Sequence, residues 1–416
     1  MLEQLPKVLI IGPNVMNPQV GAGVALSGLF GGWPQGRLAQ IHSDTTEPDR
    51  NVCTRYFRLN EGEILVGPIV TRQLARLAQF LAGRIEESAY IFGRPTRRLL
   101  AWTDAFSPEL IFSQLGGLPM TQITLALAER YQVPLAIHIS DDWVGRWPMN
   151  VLGRRVPPIT GIANVRMQNA FRRAVNRAQL RLAIGEKMAT EYKRRYGPDF
   201  LPFYNAVDPS DWPDVPRRTH QNGLIRVVYS GSIFRYAQHR SLRDISDAIA
   251  ELNTQGSRFR LDIYSQHWRK PDVERAFGNL SHVRLAGLVP REMLRDNLVQ
   301  ADFLVLPVNF DEDTLEFIRL SVPGKLAEYL SSGTPVLVYG PPEAAQVQSA
   351  IERKWGMVVE RREPAQLRDA IARIGTDRTI RTALTKQARF IAHRYFNLPI
   401  QRARFEESLT ALVRQE

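Results

Sequence analysis

Two successive series of short apolar runs, each alternating with stretches of helical periodicity, constrain this chain more than any other feature. In the first half the runs fall at residues 8–11, 38–42, 110–114, 134–139 and 180–184. In the second they fall at 226–230, 260–264, 283–286, 303–306, 335–338 and 357–359. Runs of strand length separated by helix-length segments predict parallel sheets, because parallel neighbours must be joined by a crossover, usually a helix. Leu74, Leu77, Leu81 and Ile85 recur at helical spacing in one such crossover; Leu294 with Leu298, and Leu367 with Ile371 and Ile374, do so in others.

Between the two series, residues 209–219 are rich in Pro, Asp and Arg and lack apolar periodicity, as a linker would. A length of 416 residues suits two domains of about 200 each. The expected organisation is α/β: a Rossmann-like domain over 1–208, a second over 209–387, and terminal helices over 388–416. That last segment carries Phe390, Tyr395, Phe396, Phe405, Leu409 and Leu412 around a break at Pro399.

The formal charge of +12 favours anionic partners such as nucleotides or acidic lipid headgroups. Arg172, Arg173, Arg177, Arg181, Lys187, Lys193, Arg194 and Arg195 form one basic region. Arg94, Arg97 and Arg98 form another, close to Tyr90, Phe92 and Trp102. Such faces are either ordinary solvated helix surface or a place where an anionic membrane docks. No nucleic-acid reading module accompanies them, so nucleic acid is not an expected partner. The single cysteine, Cys53, excludes an internal disulfide and a Cys-rich zinc cluster. No apolar run approaches the roughly 18 residues of a membrane span, and the chain opens on a strand candidate instead of a signal core. A cytoplasmic protein is expected, with peripheral attachment to the inner membrane face as the added possibility.

Residues 320–338 concentrate the functional signal. Pro323 and Gly324 make a turn, 325–330 suit a short helix, Gly333 fits its C-terminal cap, and 335–338 read as a buried strand. A helix beginning in such a turn aims unpaired N–H groups at whatever lies before it. The run Pro323-Gly324-Lys325, then Glu328-Tyr329-Leu330 and Gly333-Thr334-Pro335-Val336, resembles the donor helix of retaining GT-B glycosyltransferases of the family 4 or group 1 type. The resemblance implies that Glu328 binds the ribose hydroxyls of a sugar nucleotide, while Ser321, Val322, Pro323 and Gly324 hold its diphosphate with Lys325. The family's earlier glutamate falls at Leu320, and Glu316 or Asp311 would have to replace it.

Other segments extend the resemblance. Tyr229-Ser230-Gly231-Ser232-Ile233 is similar to a strand-loop in which an arginine grips the diphosphate, but that position is Ser232. Arg235, His239 and Arg240 are the nearby cations, and Arg235 is the expected replacement because a guanidinium binds phosphate bidentately. Ala286-Gly287-Leu288-Val289 resembles the base-binding turn, which acts through its backbone, so the base stays open. Asn205-Ala206-Val207-Asp208 resembles the exit from the N-terminal domain.

In the first half, Gly12 and the pair Gly21 and Gly23 suggest a glycine-rich loop facing a ligand. A dinucleotide fingerprint would need a further glycine where Leu26 stands, which excludes an NAD reading. His138, Ser140 and Asp141 occupy the strand end where the family sets a histidine beside an aspartate. Ser140 takes the expected histidine position, while His138 precedes it by two and reads equally as a core histidine. Asp142 reads as a loop cap. Trp143, Arg146, Trp147, Met149, Arg154 and Arg155 read as core packing or an acceptor-facing loop.

The resemblance implies two Rossmann-like domains whose parallel sheets face a central cleft. The activity implied is transfer of a sugar from a nucleoside diphosphate sugar to a glycan, lipid-linked or small-molecule acceptor, with retention and without cofactor or metal. Asp311-Glu312-Asp313 is read as loop and not as a ligand pair. A sugar-nucleotide epimerase or hydrolase and a noncatalytic sugar-nucleotide binder are the alternatives.

Overall fold

A computed structural model of the chain describes residues 5–17, 21–60, 62–66, 91–146, 159–212 and 223–414. The expected helix at 74–85, with Tyr90, Trp147, Met149, Arg154, Arg155 and most of the linker, lies outside them. Contacts divide the chain into two units, Met1–Tyr204 with Ile400–Glu416, and Asn205–Pro399.

The first unit is built on a parallel seven-stranded sheet: β1 (Val8–Ile11), β2 (Leu38–His42), β3 (Arg55–Arg58), β6 (Leu110–Ser113), β7 (Leu135–Ile139), β8 (Leu180–Ala183) and β9 (Leu201–Pro202), in the order β3-β2-β1-β6-β7-β8-β9. The five strands expected from apolar runs are present. Arg55–Arg58 and Leu201–Pro202 were not expected, because the first edge strand is bounded by arginines and the second spans only two residues, so neither carries an apolar run. A two-stranded antiparallel pair, β4 (Ile64–Val66) with β5 (Ile91–Gly93), was also unforeseen. On one face of the main sheet, Val8, Ile10, Leu110 and Phe112 pack with Leu26, Leu29 and Phe30 of the Gly21–Phe30 helix. Phe405 and Leu409 of the final helix, Leu398–Arg414, join the same core, with Phe405 edge-on to Phe30 and Phe112 at centroid distances of 5.1 and 5.2 Å.

The second unit carries β10 (Ile225–Ser230), β11 (Phe259–Tyr264), β12 (Val283–Leu285), β13 (Phe303–Pro307), β14 (Val336–Tyr339) and β15 (Met357–Val359) in one parallel sheet, order β12-β11-β10-β13-β14-β15. All six match the expected runs to within one residue at either end. The motif Asn205-Ala206-Val207-Asp208 lies in this unit: Val207 bridges Asn397, and Asp208 caps a turn at Ser210. The helix Arg378–Tyr395 also lies here, so the crossing back to the first unit falls at residue 400 and not at 388.

In both sheets the strand order reverses beside the first strand of the series, between β1 and β6 and between β10 and β13. Open parallel sheets bind ligands outside the carboxyl ends of their strands at such reversals.

Candidate functional site

At the carboxyl end of β10 the chain enters Gly231 with φ +126, a conformation L side chains rarely adopt. A Cβ there would lie 2.8 Å from Lys325 Nζ, so the missing side chain makes room for the lysine. Lys325 opens the helix Lys325–Ser331, and its ammonium sits 4.0 Å from the ring centroid of Tyr229, a cation–π contact. Tyr229 in turn donates its hydroxyl to the Ser232 carbonyl at 2.5 Å, bracing the loop. Tyr329 ties the helix to the strand by accepting the Ser230 N–H at 2.8 Å.

Glu328 lies one helical turn after Lys325 and 3.8 Å from Arg291, which follows the Gly287-Leu288-Val289-Pro290 turn and opens the helix Arg291–Val299. Val289, Arg291, Glu328, Lys325 and Gly231 are therefore linked by contact and by sequence adjacency around the β10 end. Gly324 completes the group: a Cβ on it would lie 3.7 Å from Asn205 Nδ2. Ser321, Val322 and Pro323 form the turn before the helix, where Ser321 N–H donates to Ile318 and Pro323 carbonyl accepts from Leu326. The helix start has no side-chain cap.

Burial against β10 pushes the Lys325 ammonium down to about 7, with Glu328 pulling the other way. Burial raises the Glu328 carboxyl, opposed by Arg291 and Lys325. Both shifts describe a site in which each charge lacks full compensation. An anion beside Lys325 would restore its proton.

Several expected residues fall elsewhere. Arg235 is largely exposed and pairs with Asp272 at 3.7 Å, and Arg240 pairs with Asp311 at 3.4 Å, so the nearby arginines face their own carboxylates. Ser232 Oγ accepts from Gln266 at 3.2 Å. Leu320 is buried, which makes the position of the missing glutamate a packing position. Asp311 caps the helix Glu312–Ile318 through the Thr314 N–H, so Asp311-Glu312-Asp313 begins a helix and is not a loop. Glu316 is exposed on that helix. Among the described residues no cluster of His, Cys, Asp or Glu could hold a metal.

In the first unit, Gly21 and Gly23 belong to the first turn of the Gly21–Phe30 helix and not to a loop. A Cβ on Gly23 would lie 2.5 Å from the Val15 carbonyl, so its bareness serves packing against the chain's own backbone. His138 is a core histidine between Phe112 and Phe203, and burial lowers it to about 4. Ser140 and the exposed Asp141 follow it at the strand end. Asp142 accepts from Tyr192 at 2.7 Å and from Arg195 at 3.0 Å, so it is an internal anchor and not a loop cap. Trp143 packs edge-on to Phe171.

Sequence reasoning missed Tyr229 and Arg291 as site residues, and Asn205 as a neighbour of Gly324. Each adjoins a motif that had been singled out, but only the fold shows which neighbour reaches inward.

Residues 225–377 match the family model of group 1 glycosyl transferases. That segment is similar to a group 1 glycosyltransferase domain. The site just described lies wholly within that domain apart from Asn205, and the chain is accordingly a transferase. Among solved structures, a sucrose-phosphate synthase from Thermosynechococcus elongatus aligns over 99% of this chain and 100% of its own at 13% identity and a TM-score of 0.65. Anabaena HepE in complex with UDP and glucose aligns over 98% and 100% at 14% identity and 0.58. A trehalose 6-phosphate synthase from Burkholderia multivorans aligns over 99% and 100% at 12% and 0.60. At these identities the likeness is one of fold, and that fold is GT-B. No curated protein sequence matches the chain.

Proposed function

We propose that this protein transfers a sugar from a nucleoside diphosphate sugar to a hydroxyl acceptor with retention of anomeric configuration, the diphosphate lying against Gly231 and Lys325 and the ribose against Glu328. The observation that carries the reading is Lys325, held against the β10 end with its ammonium beside a glycine that has been stripped of obstruction. A half-buried cation of this kind stabilises negative charge that develops on a departing diphosphate, which is where such an enzyme needs it. Lys325 thus takes the place of the loop arginine absent at Ser232, and Arg235 is given no role.

In the transfer, the acceptor oxygen bonds to the anomeric carbon as the bond from that carbon to the diphosphate oxygen breaks, and the acceptor's proton passes to the leaving phosphate. The residues argued here bind and stabilise; none serves as a nucleophile. UDP is the first donor base to test, since the complexes of Anabaena HepE hold UDP.

The acceptor is a glycan, a lipid-linked sugar or a small sugar. For a lipid-linked acceptor the basic surface of the first unit would face an anionic membrane, although much of that charge is internally engaged. Arg195 holds Asp142, Arg194 holds Glu191, Lys193 holds Asp199 at 2.6 Å, and Arg177 donates to the Val133 carbonyl. Arg98 likewise pairs with Glu63 and covers the Phe57 ring. No helix among the described residues is long and apolar enough to cross a membrane.

Product analysis with UDP-glucose and a panel of sugar acceptors tests the function. A glycoside formed with retained configuration is expected; an epimerised nucleotide sugar or free sugar as the sole product would overturn the proposal.

A further inference from the structure

One face of the second sheet carries more positive charge than its own carboxylates neutralise. Strand residues alternate between faces, so Val227, Leu261 and Ile263 enter the apolar core while Arg226, Arg260, Asp262 and Tyr264 stand on the other side. The register sets them beside one another: Arg226 is level with Arg260, and Arg284 of β12 is level with Asp262. Asp262 is wholly buried and takes all three arginines. Its Oδ2 accepts from Arg226 Nε at 2.6 Å and from Arg284 Nη2 at 3.0 Å, and its Oδ1 accepts from Arg260 Nε at 2.8 Å. Asn297, on the Arg291–Val299 helix, also accepts from Arg226 but brings no charge. The neighbouring Asp302 is engaged elsewhere, accepting the Arg226 backbone N–H at 2.7 Å and pairing with Arg381 at 3.5 Å. One carboxylate among three guanidiniums leaves a positive excess, and a guanidinium cannot relieve it by losing a proton.

Tyr264 adds an independent observation. It is only 5% exposed, and its hydroxyl oxygen accepts from Arg226 Nη2 at 2.9 Å and from Arg284 Nη2 at 2.7 Å. Burial raises its pKa above the ordinary tyrosine value, so the hydroxyl keeps its proton at neutral pH. The two guanidiniums take the oxygen's lone pairs, and among the described residues no acceptor receives that proton. A buried hydroxyl is normally satisfied as donor as well as acceptor. Here the missing partner is an acceptor, and it stands beside cations that lack counter-charge.

The cluster is open to solvent on one side. The Arg260 and Arg284 side chains are 37% and 49% exposed, because β12 is the edge strand of the sheet. Arg260 bonds Asp262 through Nε and Nη2, and Arg284 bonds Asp262 and Tyr264 through Nη2 alone. Nη1 of both, and Nε of Arg284, have no protein acceptor among the described residues. The cluster is also distinct from the Lys325 site. Arg226 and Arg260 pair four residues before the Ser230 and Tyr264 pair that borders that site, about 13 Å away at the rise of a strand.

The geometry points to a second anion site, in which Arg260, Arg284 and Tyr264 bind a phosphoryl group at the solvent-facing edge of β11 and β12. Arg226 and Asp262 hold the donors in place from beneath. Planar guanidinium forks match the oxygens of a tetrahedral anion two at a time, and the Tyr264 hydroxyl supplies a further donor. A phosphoryl group carries about 1.5 to 2 negative charges at neutral pH, which answers the excess left by Asp262. A carboxylate carries one charge on two oxygens and is the poorer fit. The site stands on this cluster alone and does not depend on the transferase reading.

The test is calorimetric titration of the full chain at constant ionic strength with inorganic phosphate and with glucose 6-phosphate, and with acetate as the carboxylate comparator. Arg284→Gln and Arg260→Gln each remove one half-exposed guanidinium, Tyr264→Phe removes only a hydroxyl, and Lys325→Ala disables the other phosphate site. Melting temperatures establish that each variant is folded. We expect at least one phosphoryl probe to bind the wild type and Lys325→Ala alike, Arg284→Gln to weaken it about tenfold or more, and Tyr264→Phe about threefold or more. Tighter binding of glucose 6-phosphate would mark a phosphomonoester as the source, and tighter binding of inorganic phosphate the free ion; either supports the site. The proposal is overturned if neither probe binds the wild type, if Lys325→Ala loses the binding, if acetate binds as tightly, or if folded Arg284→Gln and Arg260→Gln bind unchanged. Failure of UDP, GDP and ADP to bind, with phosphate still bound, would instead remove the transferase reading and leave this site standing.

Discussion

Lys325 concentrates the chemistry of the second unit in one titration. Its folded value of about 7 lies well below the ordinary 10.5, so near neutral pH much of the free protein holds it uncharged. A bound diphosphate favours the ammonium, and binding above pH 7 should therefore take up a proton. Nucleoside diphosphate affinity should fall with rising pH by up to about tenfold per unit above 7. Calorimetry at pH 8 in two buffers of different ionisation enthalpy measures that uptake directly, and Lys325→Met should abolish it. For folding, the unfolded chain holds the proton between about 7 and 10.5 where the folded one has lost it, so this group's contribution to stability rises with pH through that window. His138 acts in the same direction at lower pH. Its value near 4 against an ordinary 6.5 means stability falls by up to about 1.4 kcal/mol per pH unit as pH drops from 6.5 to 4. Thermal unfolding across that range should show a shallower fall in His138→Phe. Glu328→Ala removes a charge-assisted hydrogen bond worth about 1.5 to 3 kcal/mol, hence roughly ten- to hundredfold in nucleotide affinity. Unchanged affinity in a folded Glu328→Ala protein would exclude the ribose role.

Among the elements, long apolar runs were legible and short polar ones were not. Strands such as Val8–Ile11 and Phe303–Pro307 are buried on both faces, so each reads as a continuous apolar run. Strands β10 and β11 contain Arg226 and Asp262, whose pairing no periodicity reveals. Asp262 is wholly buried and receives Arg226 at 2.6 Å, Arg260 at 2.8 Å and Arg284 at 3.0 Å. Local sequence shows three arginines and one aspartate; only the strand register brings them together. The site was legible to a similar degree. Gly231, Lys325 and Glu328 stood out because they lie in motifs, whereas Arg235 was chosen for its charge and its proximity along the chain, and the structure turns it toward Asp272. Gly21 and Gly23 misled because a glycine needed for helix packing looks, in one dimension, like one needed for a ligand. At Leu320, burial predicts that Leu320→Ala lowers stability by about 2 to 5 kcal/mol, through lost packing and the cavity left behind. Denaturant unfolding against nucleotide binding separates the effects: the variant should unfold earlier and, while folded, bind nucleotide as before.

Over the whole molecule, charge and apolar surface bear on where the protein works. The excess of +12 persists after the internal pairs are counted within it, since each pair is neutral. Long-range attraction to an acidic surface is therefore expected, with screening over about 8 Å at physiological salt. Cosedimentation should recover the protein on acidic vesicles at low salt and release it as salt rises; equal recovery on neutral vesicles would exclude an electrostatic attachment. The central claim concerns the second unit, that its β10 end and the Lys325–Ser331 helix hold a nucleoside diphosphate. Its most direct measurement is calorimetric titration of the full chain and of Lys325→Ala with UDP, GDP and ADP. We predict saturable binding of at least one of them and a weakening of tenfold or more in the folded variant. No binding of any of the three, or equal binding by wild type and Lys325→Ala, would contradict it.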